Sequence, residues 1–69
     1  MSASKIIADL RAERERQGIS RPALAELTGY SLRGIETLET SHNVPSFHKV
    51  CDIAGALGFD LVLVKRETP

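Results

Sequence analysis

The stretch LAELTGYSLRGIETLE, Leu24 to Glu39, decides how this chain is read. Apolar side chains recur at helical spacing on both sides of Gly29, with TGYS between them. A connection of three or four residues containing glycine joins two short helices at an angle, because one residue there takes a left-handed conformation that glycine adopts without strain. Counting from Arg21, Ala25 is small where the helices cross, Gly29 makes the turn, and Ile35 and Leu38 lock the second helix onto the first. On a helical projection Ile35, Leu38 and Glu39 face inward, Arg33 and Thr37 point straight outward, Glu36 and Thr40 lie beside them, and Leu32 sits toward one flank. A short helix standing proud of a small body, with polar side chains on its free face, has the size to enter the major groove of a DNA duplex. Gly34 costs about 1 kcal/mol relative to alanine inside a helix. Either it lets the helix approach a duplex closely, or it is a neutral choice in the first turn.

Outward from this core the same syntax repeats. Ser4 is placed to cap a first helix running to about Gln17, with Ile6, Ile7 and Leu10 as its apolar side and Gly18 just past its end. Ser20 caps the second helix, in which Pro22 occupies the first turn where its missing N–H costs nothing. Ser31 caps the third, through Glu39 or Thr40. TSHNVPS is a loop, and Ser46 caps a fourth helix, FHKVCDIAGALG, ended by Gly58. Its Phe47, Val50, Ile53, Ala54 and Leu57 fall on one broad face, while His48, Asp52 and Gly55 point away.

The bulk composition narrows the function. The 69 residues make one small domain, with nine basic and nine acidic side chains and no net charge. That balance argues against an indiscriminate polyanion binder, but it allows a binder with a few well-placed cations. The only aromatics are Tyr30, Phe47 and Phe59, too few for a single-strand stacking platform. One cysteine forms no internal disulfide, and no apolar run has the length of a signal peptide or membrane span, so a soluble cytoplasmic protein is expected. His42, His48 and Cys51 do not make a convincing metal set, and no nucleophile, base and orienting acid stand at catalytic spacing. Neither an enzyme nor a cofactor is expected.

The end differs in kind. FDLVLVK is β-branched and apolar and reads as a strand, with Leu61 and Leu63 on one side and Val62 and Val64 on the other. A lone strand has unpaired backbone groups on both edges. The same strand from a second copy would pair with it across a two-fold axis, so Phe59, Leu61, Val62, Leu63 and Val64 are the expected dimer residues. The domain proper is then 1–58, with 59–69 as dimerisation strand and tail of the same unit.

From about Leu10 to Leu57 the chain resembles the Cro/repressor-type (XRE-like) helix-turn-helix family. The resemblance rests on the register of Arg14, Gly18, Leu24-Ala25, Gly29, Ile35, Leu38-Glu39, Pro45-Ser46 and Ala56-Leu57-Gly58, which follows the family's spacing without insertions. It implies an all-α bundle that dimerises and binds double-stranded operator DNA, usually as a repressor. GFDLVLV departs from the phage proteins and is similar to the HipB-like branch, in which a terminal strand completes a dimer and the protein is antitoxin to a kinase-like (HipA-like) toxin. The same strand also occurs in stand-alone regulators, so both partners stay open.

The resemblance also carries residues over. It implies that Arg21, where the family commonly has glutamine, contacts phosphate, and that Arg14 and Glu39 pair to link the first helix to the end of the recognition helix. Arg33 suits guanine O6 and N7, Thr37 a thymine methyl or phosphate, and Glu36 cytosine N4. Leu32 stands where the phage proteins often have glutamine and lacks its hydrogen bonds. Ser31 opens the recognition helix, and Thr40, His42, Asn43 and Ser46 lie where the family follows the phosphate backbone. The expected function is a sequence-specific homodimeric autorepressor, and the alternative is an antitoxin whose operator binding is secondary.

Overall fold

The computed structural model describes residues 3–40 and 45–67. Its elements are α1 (Ala3–Arg16), α2 (Arg21–Thr28), α3 (Leu32–Thr40) and α4 (Phe47–Ala56). The backbones of α1 and α2 each approach both α3 and α4. The four helices therefore form a ring of contacts around a single core. Leu10, Leu24, Ala25, Ile35, Leu38, Val50, Ile53, Ala54 and Leu57 fill it, so every helix contributes. Ile6, Ile7, Ile19, Tyr30 and Leu61 pack around its edge.

Local chemistry sets the helix ends. The Ser20 and Ser46 hydroxyls accept hydrogen bonds from Ala23 N and Lys49 N, satisfying donors that the first turns of α2 and α4 leave orphaned. At the other ends, Gly18, Gly29 and Gly58 all have positive φ. After α1 the N–H groups of Gly18 and Ile19 turn back to Glu15 O and Arg14 O, and after α4 those of Gly58 and Phe59 turn back to Gly55 O and Ala54 O. Both are Schellman closures, and they send the chain off in a new direction while keeping the last carbonyls bonded. Gln17 adds a tie across the bundle: its Nε2 donates to Leu57 O at 2.9 Å, joining the ends of α1 and α4.

Two expectations need correction. Ser4 lies inside α1, which begins at Ala3, and is not its cap. Phe47, expected on the same broad face as buried Val50, is 72% exposed. Projection on a helix gives a direction only; Phe47 is the first residue of α4, and the buried side chains of that helix begin at Val50. The strand expected at the end was one paired with a second copy; in the single chain no β-strand occurs among the described residues, and 59–67 leave α4 as an irregular segment. A strand needs a second backbone to bond, and this chain supplies none. Leu61 packs on the core, whereas Leu63, expected on the same side, is 101% exposed. No helix of the described residues is long and apolar enough to cross a membrane.

Leu24 and Ile35, each 1% exposed, join α2 to α3 at the centre of the core. Leu24→Ala should lower the unfolding free energy by about 2–5 kcal/mol. Urea titration followed by circular dichroism measures it, and a loss well below that range would mean the centre can collapse around the cavity.

Candidate nucleic-acid interface

Two faces of α3 have separate tasks. Ile35 and Leu38 are buried beneath it, while Leu32, Arg33, Glu36, Thr37 and Thr40 are exposed along it. Gly29, with φ of 78°, lets α2 end and the chain re-enter α3 within three residues. The Thr28 hydroxyl donates to Leu24 O at 2.9 Å and accepts from Tyr30 N, which stiffens this turn. Tyr30 then donates its hydroxyl proton to Asp52 on α4, and this bond raises the phenol's pKa. The start of α3 is thus fastened to α4.

Its far end is fastened by charge. The Glu39 side chain is 4% exposed and accepts two bonds from Arg14, Nε at 2.7 Å and Nη2 at 3.1 Å. Arg14 is itself buried, and its Nη1 donates to Ile19 O at 2.7 Å. Arg21 adds a third bond to Glu39, Nε to Oε1 at 2.8 Å, and Arg11 stands 3.9 Å from the same oxygen. One carboxylate therefore holds α1, the start of α2 and the end of α3. Burial pushes the Glu39 pKa up, but the hydrogen bonds from Arg14 and Arg21 outweigh it and leave it below the ordinary value.

This network changes the reading of Arg21, which is neither a simple exposed cation nor simply a phosphate ligand. With Nε committed to Glu39, only its amino groups remain for a phosphate. Its unfavourable place at the start of a helix has a structural reason. Arg33 is different: among the described residues it has no ion-pair or hydrogen-bond partner. Ser31 accepts from Gly34 N at 3.0 Å, and its hydroxyl proton stays available. Thr40 donates to Glu36 O at 2.7 Å, which commits its proton to the backbone. Ser46 caps α4, and His42 and Asn43 lie outside the described residues.

Gly34 gains a local explanation. A Cβ built there would sit 3.1 Å from Ser31 Oγ, the atom that accepts from Gly34 N. An alanine there would crowd that hydroxyl, which would have to give by a few tenths of an ångström.

Lys49 is a functional candidate that the sequence reading passes over. Its ammonium lies 5.7 Å from the Tyr30 ring centre, and Lys49 lines a small cleft of about 60 Å³ with Ser31 and Gly34. The signal was present in the sequence: a lysine in the first turn of a helix opposes the dipole and wants a compensating contact. His48 engages Asp52 at 3.4 Å, and among the described residues no three His, Cys, Asp or Glu side chains group as metal ligands do.

A family model described as a helix-turn-helix domain matches residues 8–66. The chain belongs to the helix-turn-helix domain family. No curated protein and no solved structure matches it. Membership points to a DNA-binding regulator.

Glu39→Ala should cost about 3–5 kcal/mol, since it strands the buried Arg14 charge. The pH dependence follows from the lowered pKa: the stabilisation is complete above the ordinary value of 4.5 and is lost as pH falls through the lower folded value. Denaturant titrations between pH 7 and pH 3 should show a falling limb in the parent chain and a flatter one in the variant. Equal slopes would remove Glu39 from that role.

Proposed function

We propose that the chain is a sequence-specific, double-stranded-DNA-binding transcriptional repressor that acts as a homodimer on a short palindromic operator. The observation that carries this reading is the partition of α3: Ile35, Leu38 and Glu39 are held by the body while Leu32, Arg33, Glu36 and Thr37 stand free. Arg33 reads a guanine through O6 and N7, and Thr37 and Glu36 contact neighbouring positions. Ser31, Arg21 and Ser46, with Lys49 added, position the helix against phosphates, and His42 and Asn43 supply further phosphate contacts, while Thr40 has its hydroxyl proton on Glu36 O. The dimer forms through the C-terminal segment, with Phe59, Leu61, Val62, Leu63 and Val64 of each copy meeting across the two-fold axis. Two recognition helices then enter successive major grooves about 34 Å apart.

A second reading has one observation in its favour. The exposed run Val62, Leu63 and Val64, in a chain without net positive charge, also suits an antitoxin that holds a kinase-like (HipA-like) toxin by protein contact. Expression from the native locus separates the two: a second, kinase-like chain purifies with the antitoxin, and the autorepressor purifies with itself alone.

Selection of bound fragments from a random duplex pool, followed by titration, tests the main reading. A palindromic consensus should emerge, and Arg33→Ala should cost about 1–3 kcal/mol and relax preference at one base pair per half-site. Unchanged affinity and selectivity in that variant would take base reading away from Arg33, and absence of any consensus would end the proposal.

A further inference from the structure

Beside α1 runs a groove of about 410 Å³ whose second wall is the start of the C-terminal segment. Its floor is apolar, from Ile6, Leu10, Phe59 and Leu61, and its rim carries three carboxylates, Asp9, Glu13 and Asp60. No cation lines it. The segment that leaves this groove has the opposite character. Val62, Leu63 and Val64 are 65%, 101% and 81% exposed, and Lys65 and Arg66 follow them directly. An apolar run ending in two cations matches an apolar trough edged with acid. The segment cannot fill the groove it emerges from, because its own Phe59–Leu61 form the wall.

We infer that the groove receives the C-terminal arm of a second copy, reciprocally, with Lys65 and Arg66 of each copy seated against Asp60, Asp9 and Glu13 of the other. The inference rests on the homodimer reading and says where its arms go. Antiparallel pairing about an axis between Val62 and Leu63 sets Lys65 opposite Asp60, with Cβ atoms about 5 Å apart, and sets Arg66 opposite Phe59 on the groove wall. From there the guanidinium reaches toward α1. Asp9 is held by Lys5 at 3.4 Å and Glu13 by Arg16 at 2.7 Å, and such exposed pairs re-form with a new cation at little cost. The arms thus meet each other and also α1, so the dimer contact extends beyond a two-stranded ribbon.

Sedimentation equilibrium on the full chain tests this with charge reversals remote from the core. Asp9→Lys with Glu13→Lys alters the α1 rim, and Arg66→Glu, which leaves Lys65 opposite Asp60, alters the arm. Each alteration alone should raise the dimer dissociation constant by about tenfold or more, and the three substitutions together in one chain should restore it. If the α1 reversals leave the constant unchanged, or the combined variant shows no rescue, the arms meet only each other and the groove assignment falls while the homodimer stands. If the parent chain is a monomer at every concentration, the homodimer reading itself fails and the groove assignment fails with it. Circular dichroism checks that each variant is folded, and Asp9→Lys alone repeats the measurement should the double α1 variant melt.

Discussion

A single carboxylate organises the helix-turn-helix half of this molecule. Glu39 sits in the last turn of α3, where a negative charge opposes the helix dipole, and its side chain is almost fully removed from water. Neither circumstance favours an ion. What makes it tenable is Arg14, which meets both oxygens with a planar fork, reinforced by Arg21. Arg14 is in turn satisfied by the carbonyl of Ile19, in the turn after α1. The position of α3 is therefore specified by directional bonds as well as by Ile35 and Leu38, whose contact is tolerant of small rotations. A helix meant to present a few side chains at fixed angles needs that extra constraint.

The economy of the outer face follows from the same arrangement. Of the cations around α3, Arg11, Arg14 and Arg21 are drawn to Glu39 and Arg33 points away. Much of the positive charge nearest the proposed DNA face is thus internal in its effect. On the proposed reading, a domain with equal numbers of acidic and basic residues would hold a polyanion through few contacts, with sequence discrimination resting on base edges. The fastening of Tyr30 to Asp52 and the cap of Ser31 on Gly34 keep the start of α3 in place for the same purpose.

The C-terminal segment shows what a small body cannot do for itself. Leu61 reaches the edge of the core, and beyond it no element among the described residues covers Val62, Leu63 and Val64. With nine buried apolar residues among those described, the body has little surface to offer, and the backbone of the segment finds no ladder there to join. An apolar arm beside an apolar trough is consistent with a fold whose final burial is shared between copies.

The sequence by itself determined the helices and their breaks. Ser20, Ser46, Gly18, Gly29 and Gly58 act on backbone groups a few residues away, so their effects are visible in one dimension. It also determined the inward stripe of α3, because helical periodicity fixes direction from spacing alone. Only the tertiary structure decided what each direction meets. Phe47, expected on the core face, stays exposed; Leu61 and Leu63, two residues apart, end in different surroundings; Arg21, read as a phosphate contact, turns to Glu39 eighteen residues on. Burial and long-range pairing depend on which elements come to lie across from one another. That is settled by how all four helices fit together, and no local window contains it.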